Sequence, residues 1–113
     1  MKKDPKIFLH HILESIEEIE NHLKDISEEE FLQDVKTQDA VVRRIEIIGE
    51  ASKNLPTNFK KKYPEVEWRE IAGMRDRLIH HYFGIDMSIV WEVSRKDLPK
   101  LKKQISKTLE KSA

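Results

Sequence analysis

The stretch DPKIFLHHILESIEEIENHLKDI, Asp4 to Ile26, sets the period that the rest of the chain follows. Asp4-Pro5 is a helix start: a side-chain oxygen for the free amides, then a proline at the first helical position, where its missing N–H has no partner to lose. Phe8, Ile12, Ile16, Ile19, Leu23 and Ile26 then recur at intervals of four, four, three, four and three. That spacing predicts one apolar stripe along a helix of about six turns. Glu14, Glu17, Glu18 and Glu20 lie largely off the stripe. His10, His11 and His22 belong to the same helix and read as surface or boundary side chains rather than metal ligands.

Outward from that helix the pattern repeats. Ser27-Glu28-Glu29-Glu30 has the spacing of a capping box and restarts the chain as a short helix carrying Phe31 and Leu32. A break is expected near Val35–Thr37. Val41, Ile45, Ile48, Ser52 and Leu55 then hold a four-three-four-three spacing that Pro56 ends. Gly49 and Ala51 on this helix predict a close approach, and Arg43 and Arg44 can pair with Glu46 and Glu50 at helical spacing. Thr57 is expected to cap a short turn through Lys62, closed by Tyr63-Pro64. A further helix is predicted from about Glu67 to His81, with Ile71, Met74, Leu78 and Tyr82 as its stripe, Ala72-Gly73 as a second close approach and Gly84 as its left-handed C-cap. Asp86 caps the last helix, which bears Val90, Trp91 and Val93; Pro99 should kink or restart it before Leu101, Ile105 and Leu109. Trp68 and Trp91 read as core anchors. No alternating strand pattern extends beyond a few residues. The fold expected is an all-α, up-and-down bundle of about five helices, one domain over residues 1–113.

Composition excludes several classes. With 113 residues, three glycines and four prolines, the chain is neither loop-rich nor disordered. There is no cysteine, hence no disulfide and no thiolate metal site. No apolar run approaches the ~18 residues of a membrane span, and Met1-Lys2-Lys3-Asp4-Pro5 leads into glutamate-rich helix rather than a signal peptide. A cytoplasmic location is the default. The formal charge is zero, but residues 1–34 carry −6 while residues 53–82 and 83–113 carry +3 each. A uniform nucleic-acid coat is therefore not expected, whereas a local basic surface is.

The chemistry gathers in Met74-Arg75-Asp76-Arg77-Leu78-Ile79-His80-His81-Tyr82-Phe83-Gly84. Arginine offers a rigid fork of donors to a phosphate, histidine moves protons near neutral pH, and tyrosine brings a hydroxyl and a stacking face. The set points to phosphodiester chemistry without a metal cluster. On one regular helix, however, Arg75 and His80 project roughly 140° apart. Either the helix loosens near Gly84, or the long arginine sweeps back, or a second copy of the chain supplies the missing partner. Asp76 and His80, four apart, can hydrogen-bond directly. Adjacent His80 and His81 point about 100° apart, and no His-x-x-Glu or His-x3-His spacing accompanies them, so a metal hydrolase is disfavoured.

Arg75, four intervening residues, His80, one more, then Tyr82 resembles the R-x4-H-x-Y motif of HepT-like toxins, helical ribonucleases of the HEPN superfamily. The polar Asp76 after the arginine fits the same pattern. Thr37–Ala51 resembles the family's third helix, and Trp68–Arg75 with Tyr82–Asp86 its motif helix and exit turn. The resemblance implies a HEPN-like homodimer whose motif helices face each other across a cleft. It implies a metal-independent endoribonuclease with no cofactor, the toxin of a type VII toxin–antitoxin system. Its RNA would be cut by 2′-oxygen attack, with Arg75, His80 and Asp76 as catalytic residues and Arg75 and Tyr82 as substrate contacts. It further implies an MntA-like nucleotidyltransferase antitoxin that AMPylates Tyr82. The alternative is a non-catalytic helical dimer that binds and regulates such a nucleotidyltransferase.

Overall fold

Asp4 Oδ1 accepts the Lys6 amide at 2.9 Å, Pro5 takes the first position, and α1 runs over Pro5–Leu23. The computed structural model describes residues 4–80 and 86–112, apart from the side chains of residues 75 and 77–80. Leu9, Ile12, Ile16, Ile19 and Leu23 form the buried face of α1. Leu9 is fully buried, while Phe8 is only half-buried. The helix ends at Leu23 rather than Ile26, because Asp25 takes a positive φ of 62° and turns the chain. Aspartate is among the few non-glycine residues that tolerate that region. Ile26 still packs against the core from the turn.

The capping box forms as its spacing requires. Ser27 Oγ accepts from the Glu30 amide at 3.1 Å and Glu30 Oε1 from the Ser27 amide at 3.0 Å, starting α2 (Glu28–Gln33). Phe31 is fully buried and Leu32 remains exposed. The break then falls at Asp34, earlier than the sequence suggested. Its carboxylate takes the Thr37 amide at 3.1 Å and the Thr37 hydroxyl at 2.7 Å, which frees Val35 to open α3 (Val35–Asn54). Gln38, buried on α3, donates to the Phe31 carbonyl at 2.9 Å and so satisfies the end of α2.

Val41, Ile45, Ile48, Ser52 and Leu55 are all buried, as their spacing predicted, and Gly49 is buried among them. α4 (Thr57–Lys62) is capped differently from the expectation: Pro56 holds the cap position, no side chain caps it, and Thr57 lies inside the helix. Phe59 and Tyr63 stack at a tilt, centroids 5.0 Å apart. The Tyr63 carbonyl accepts from Trp68 Nε1 at 3.0 Å, which seats that indole in the core. α5 is Trp68–His80, and its Ile71 and Met74 are buried.

Asp86 Oδ1 accepts from the Ser88 amide at 2.9 Å and opens α6 (Met87–Glu92), followed without interruption by a π-helical turn, Val93–Asp97, and by α7 (Leu98–Lys111). α7 runs back along α1: Lys102 pairs with Glu20 at 2.8 Å, and Arg95 reaches the Leu23 and Ile26 carbonyls at 3.3 and 3.1 Å. The same guanidinium sits 4.5 Å above the Trp91 ring, whose centroid is 5.5 Å from that of Phe31. α1 therefore lies between α3 and α7, and α5 packs on α3. Among the described residues the architecture is an all-α bundle. Among the described residues, no helix is long and apolar enough to cross a membrane.

Candidate functional site

α5 presents two unlike sides. Glu67, Glu70, Ile71 and Met74 fall at intervals of three, one and three, and they line a cavity of about 140 Å³ with Asp97 and Leu98. The Glu70 carboxyl is held above its usual range, first by a hydrogen bond shared with Glu67 and then by the charge of Glu67, with Asp97 adding to it and Lys100 opposing it. Lys100, Leu101 and Gln104 complete the lining, so three carboxyls face one ammonium and this side is acidic on balance. Asp76 lies two residues beyond Met74, which turns it about 200° away, and it meets α3 instead.

There Lys53, in the last turn of α3, places Nζ 2.9 Å from Asp76 Oδ1. Both side chains keep substantial solvent contact, at 39% and 45% of their accessible surface. The ion pair thus clips the motif helix to the end of α3 at a solvent-open edge. Lys53 was absent from the residues singled out in the sequence. It is 23 positions from Asp76, and no local period connects the two; only the packing of α5 on α3 does.

Helical hydrogen bonding in α5 runs unbroken through Arg75, Asp76 and His80. The backbone therefore sets Arg75 and His80 roughly 140° apart about the axis, and any loosening of the helix lies beyond His80. The side chains of Arg75 and His80 fall outside the described residues, as do Tyr82 and the Gly84 cap. Gly73 departs from its expected role. Among the described residues, a Cβ built there meets no atom within 4 Å, so against them the position is open rather than a close approach. The reason lies in its placement: the neighbouring Ile71 and Met74 carry the buried face, and Gly73 points off it. Among the described residues, no group of three or more His, Cys, Asp or Glu side chains is arranged to hold a metal ion.

A family model described as "Ribonuclease HepT-like" matches residues 12–108. The chain is 57% identical over 110 residues to a Methanocaldococcus jannaschii protein named "Gamma-glutamylcyclotransferase and putative RNase", covering 97% of this chain and 50% of that one. The chain thus spans half the length of that relative. It is 51% identical over 107 residues to the "Probable ribonuclease HepT" of Thermococcus cleftensis, covering 95% of this chain and 97% of the other. It is 49% identical over 109 residues to a "Putative RNase" of Caldanaerobacter subterraneus subsp. tengcongensis, covering 96% and 97%. No solved structure matches the chain.

Proposed function

Because the chain belongs to the HepT-like ribonuclease family, we propose that it is a metal-independent endoribonuclease and the toxin of a type VII toxin–antitoxin pair. Arg75 holds the scissile phosphate and stabilises the charge that builds on it. The RNA 2′-oxygen attacks phosphorus and the bond to the 5′-oxygen breaks. One His80 takes the 2′-hydroxyl proton and its counterpart in a second protomer delivers a proton to the leaving 5′-oxygen. Products are a 2′,3′-cyclic phosphate and a 5′-hydroxyl. Asp76 orients a neighbouring cationic side chain or the imidazole, and Tyr82 positions the nucleotide.

The observation that carries this reading is the unbroken helix from Trp68 to His80. It directs Arg75 and His80 to different sides of one axis, so a single protomer does not readily converge both on one phosphate, and a homodimer supplies the complement. The antitoxin is a nucleotidyltransferase: the Tyr82 phenol oxygen attacks the α-phosphorus of ATP, pyrophosphate leaves, and the attached AMP competes with RNA for Arg75.

The test is cleavage of RNA in EDTA by wild type, His80→Ala and Arg75→Ala. Activity in wild type alone, with cyclic-phosphate ends, supports the reading. Equal cleavage by all three removes it. A wild type that is inert, harmless on expression and stably bound to the nucleotidyltransferase favours the non-catalytic alternative.

A further inference from the structure

α7 turns a row of lysines outward. Lys100, Lys103, Lys107 and Lys111 follow at intervals of three, four and four, and all are exposed. That spacing sets them within roughly 80° of one another about the axis, off the face that buries Leu101, Ile105 and Thr108. The lysine end of α4 is brought to the same corner of the fold. The Glu65 carbonyl accepts from Gln104 Nε2 at 3.3 Å, and the Glu65 carboxylate pairs with Lys111 Nζ at 3.4 Å. Lys60, Lys61 and Lys62 form the last turn of α4. Lys62 precedes Glu65 by three residues, so the two lie within about 11 Å.

Two segments distant in sequence thus bring Lys60, Lys61, Lys62, Lys103, Lys107 and Lys111 to one surface, where Glu65 and Glu110 are the carboxylates those segments carry. Among the described residues, Lys61, Lys103 and Lys107 enter no ion pair, whereas Lys96 and Lys102 are answered by Glu92 and Glu20. Like charges four apart on a helix oppose its formation. The row Lys103, Lys107, Lys111 therefore costs the fold stability, and a bound polyanion reverses that cost.

We propose that this α4–α7 corner is a second RNA-binding surface, gripping phosphates of the strand away from the one that is cut. The inference rests on the ribonuclease reading above, which selects RNA among polyanions. The corner adjoins the start of α5, and His80 lies twelve residues beyond Trp68, about 18 Å along the helix. It therefore holds strand that extends past the motif rather than the reacting phosphate. A compact ammonium on a flexible stem follows a phosphate backbone of any sequence, so this binding depends on salt and is indifferent to sequence.

The experiment titrates the full chain into a labelled single-stranded RNA of mixed sequence with 2′-O-methyl groups, over a series of salt concentrations. Each lysine–phosphate contact on a single strand adds about 0.7 to the slope of log affinity against log salt. The triple variant Lys61→Gln, Lys103→Gln, Lys107→Gln should therefore flatten the slope by about 2 and weaken binding about a hundredfold at about 0.1 M salt. Arginine at the same three positions keeps both. The matched triple Lys24→Gln, Lys36→Gln, Lys96→Gln makes the same charge change where α1 ends and α3 begins. It should shift affinity less than about threefold, because charges more than about 10 Å away are largely screened at that salt. Thermal midpoints of all variants stay close to wild type. Equal losses in the two glutamine triples overturn the proposal and leave only net charge. Wild-type affinity and slope in the first triple also overturn it; if that variant instead loses its hold on the co-expressed nucleotidyltransferase, the corner docks a protein. Wild type that binds RNA through the corner yet leaves unmodified RNA uncut overturns the ribonuclease reading and leaves this surface standing. Wild type that binds no RNA overturns both.

Discussion

The Leu98 amide donates to the Val93 carbonyl, five residues back, where an α-helix would use the residue four back. The wide turn has a local cause. Pro99 follows immediately, carries no N–H and presents a ring that collides with the carbonyl four positions before it. Opening Val93–Asp97 into a π turn relieves that collision without breaking the helix. The extra residue also turns Arg95 toward α1, where it caps the Leu23 and Ile26 carbonyls while covering Trp91.

Arg95 is therefore expected to matter more than its surface position suggests. Arg95→Ala removes two charge-assisted hydrogen bonds and a cation–π contact, a loss of about 2 kcal/mol. Pro99→Ala should change stability by less than about 1 kcal/mol, because Arg95 still holds the turn. Urea unfolding of both variants checks the order. A Pro99→Ala loss larger than that of Arg95→Ala contradicts it.

Two carboxylates bend the stability profile in opposite directions. Asp34 is held below its ordinary value, first by the Thr37 hydroxyl and then by the Thr37 amide. Its contribution is present above the unfolded-state value and disappears as pH falls through the folded one. Asp34→Asn should thus be less stable than wild type at neutral pH, and the gap should close below about pH 4. Glu70 is raised by Glu67, so the native chain binds more protons there than the unfolded one and stability falls as pH rises above the ordinary glutamate value. Glu70→Gln should be more stable than wild type at neutral pH, with the gain shrinking on acidification. Urea midpoints across roughly pH 3 to 8 read both slopes.

Much of this scaffold can be read from the chain because its determinants are local. The α3 stripe Val41, Ile45, Ile48, Ser52 and Leu55 is buried throughout, and Ser27–Glu30 and Asp86 cap as their types and spacing require. What escaped reading depends on contacts distant in sequence or on competition between neighbours. Leu9 outranks Phe8 because α1 is flanked by both α3 and α7. Asp34 preempts the break because Thr37 offers it both an amide and a hydroxyl. The Lys53–Asp76 pair joins helices with no shared period. At the site itself the sequence names Arg75, Asp76, His80 and Tyr82 by residue type and spacing; of these side chains only Asp76 lies among the described residues, and its partner Lys53 comes from another helix.

Gly73 and His80 are seven residues apart, hence within roughly 20° on α5. Among the described residues, nothing fills the space over Gly73. Gly73→Ala should therefore stabilise the fold by about 0.5–1 kcal/mol through helix propensity. Gly73→Phe should leave the fold intact but weaken self-association, since the motif helices are to face each other. Sedimentation of wild type and Gly73→Phe tests this; identical oligomeric states would place the interface elsewhere.

Tyr82 is the expected site of AMP transfer. Co-expression with the nucleotidyltransferase should add AMP masses to wild type and none to Tyr82→Phe. Undiminished labelling of the variant would move the acceptor to another side chain.

The central claim is that both protomers serve one RNA strand, and mixing wild type with His80→Ala measures it most directly. If each site needs an imidazole from both copies, mixed dimers are dead, and an equal mixture should retain about a quarter of the wild-type activity at constant total protein. Retention of about one half, the value for protomers that each cut alone, would contradict it.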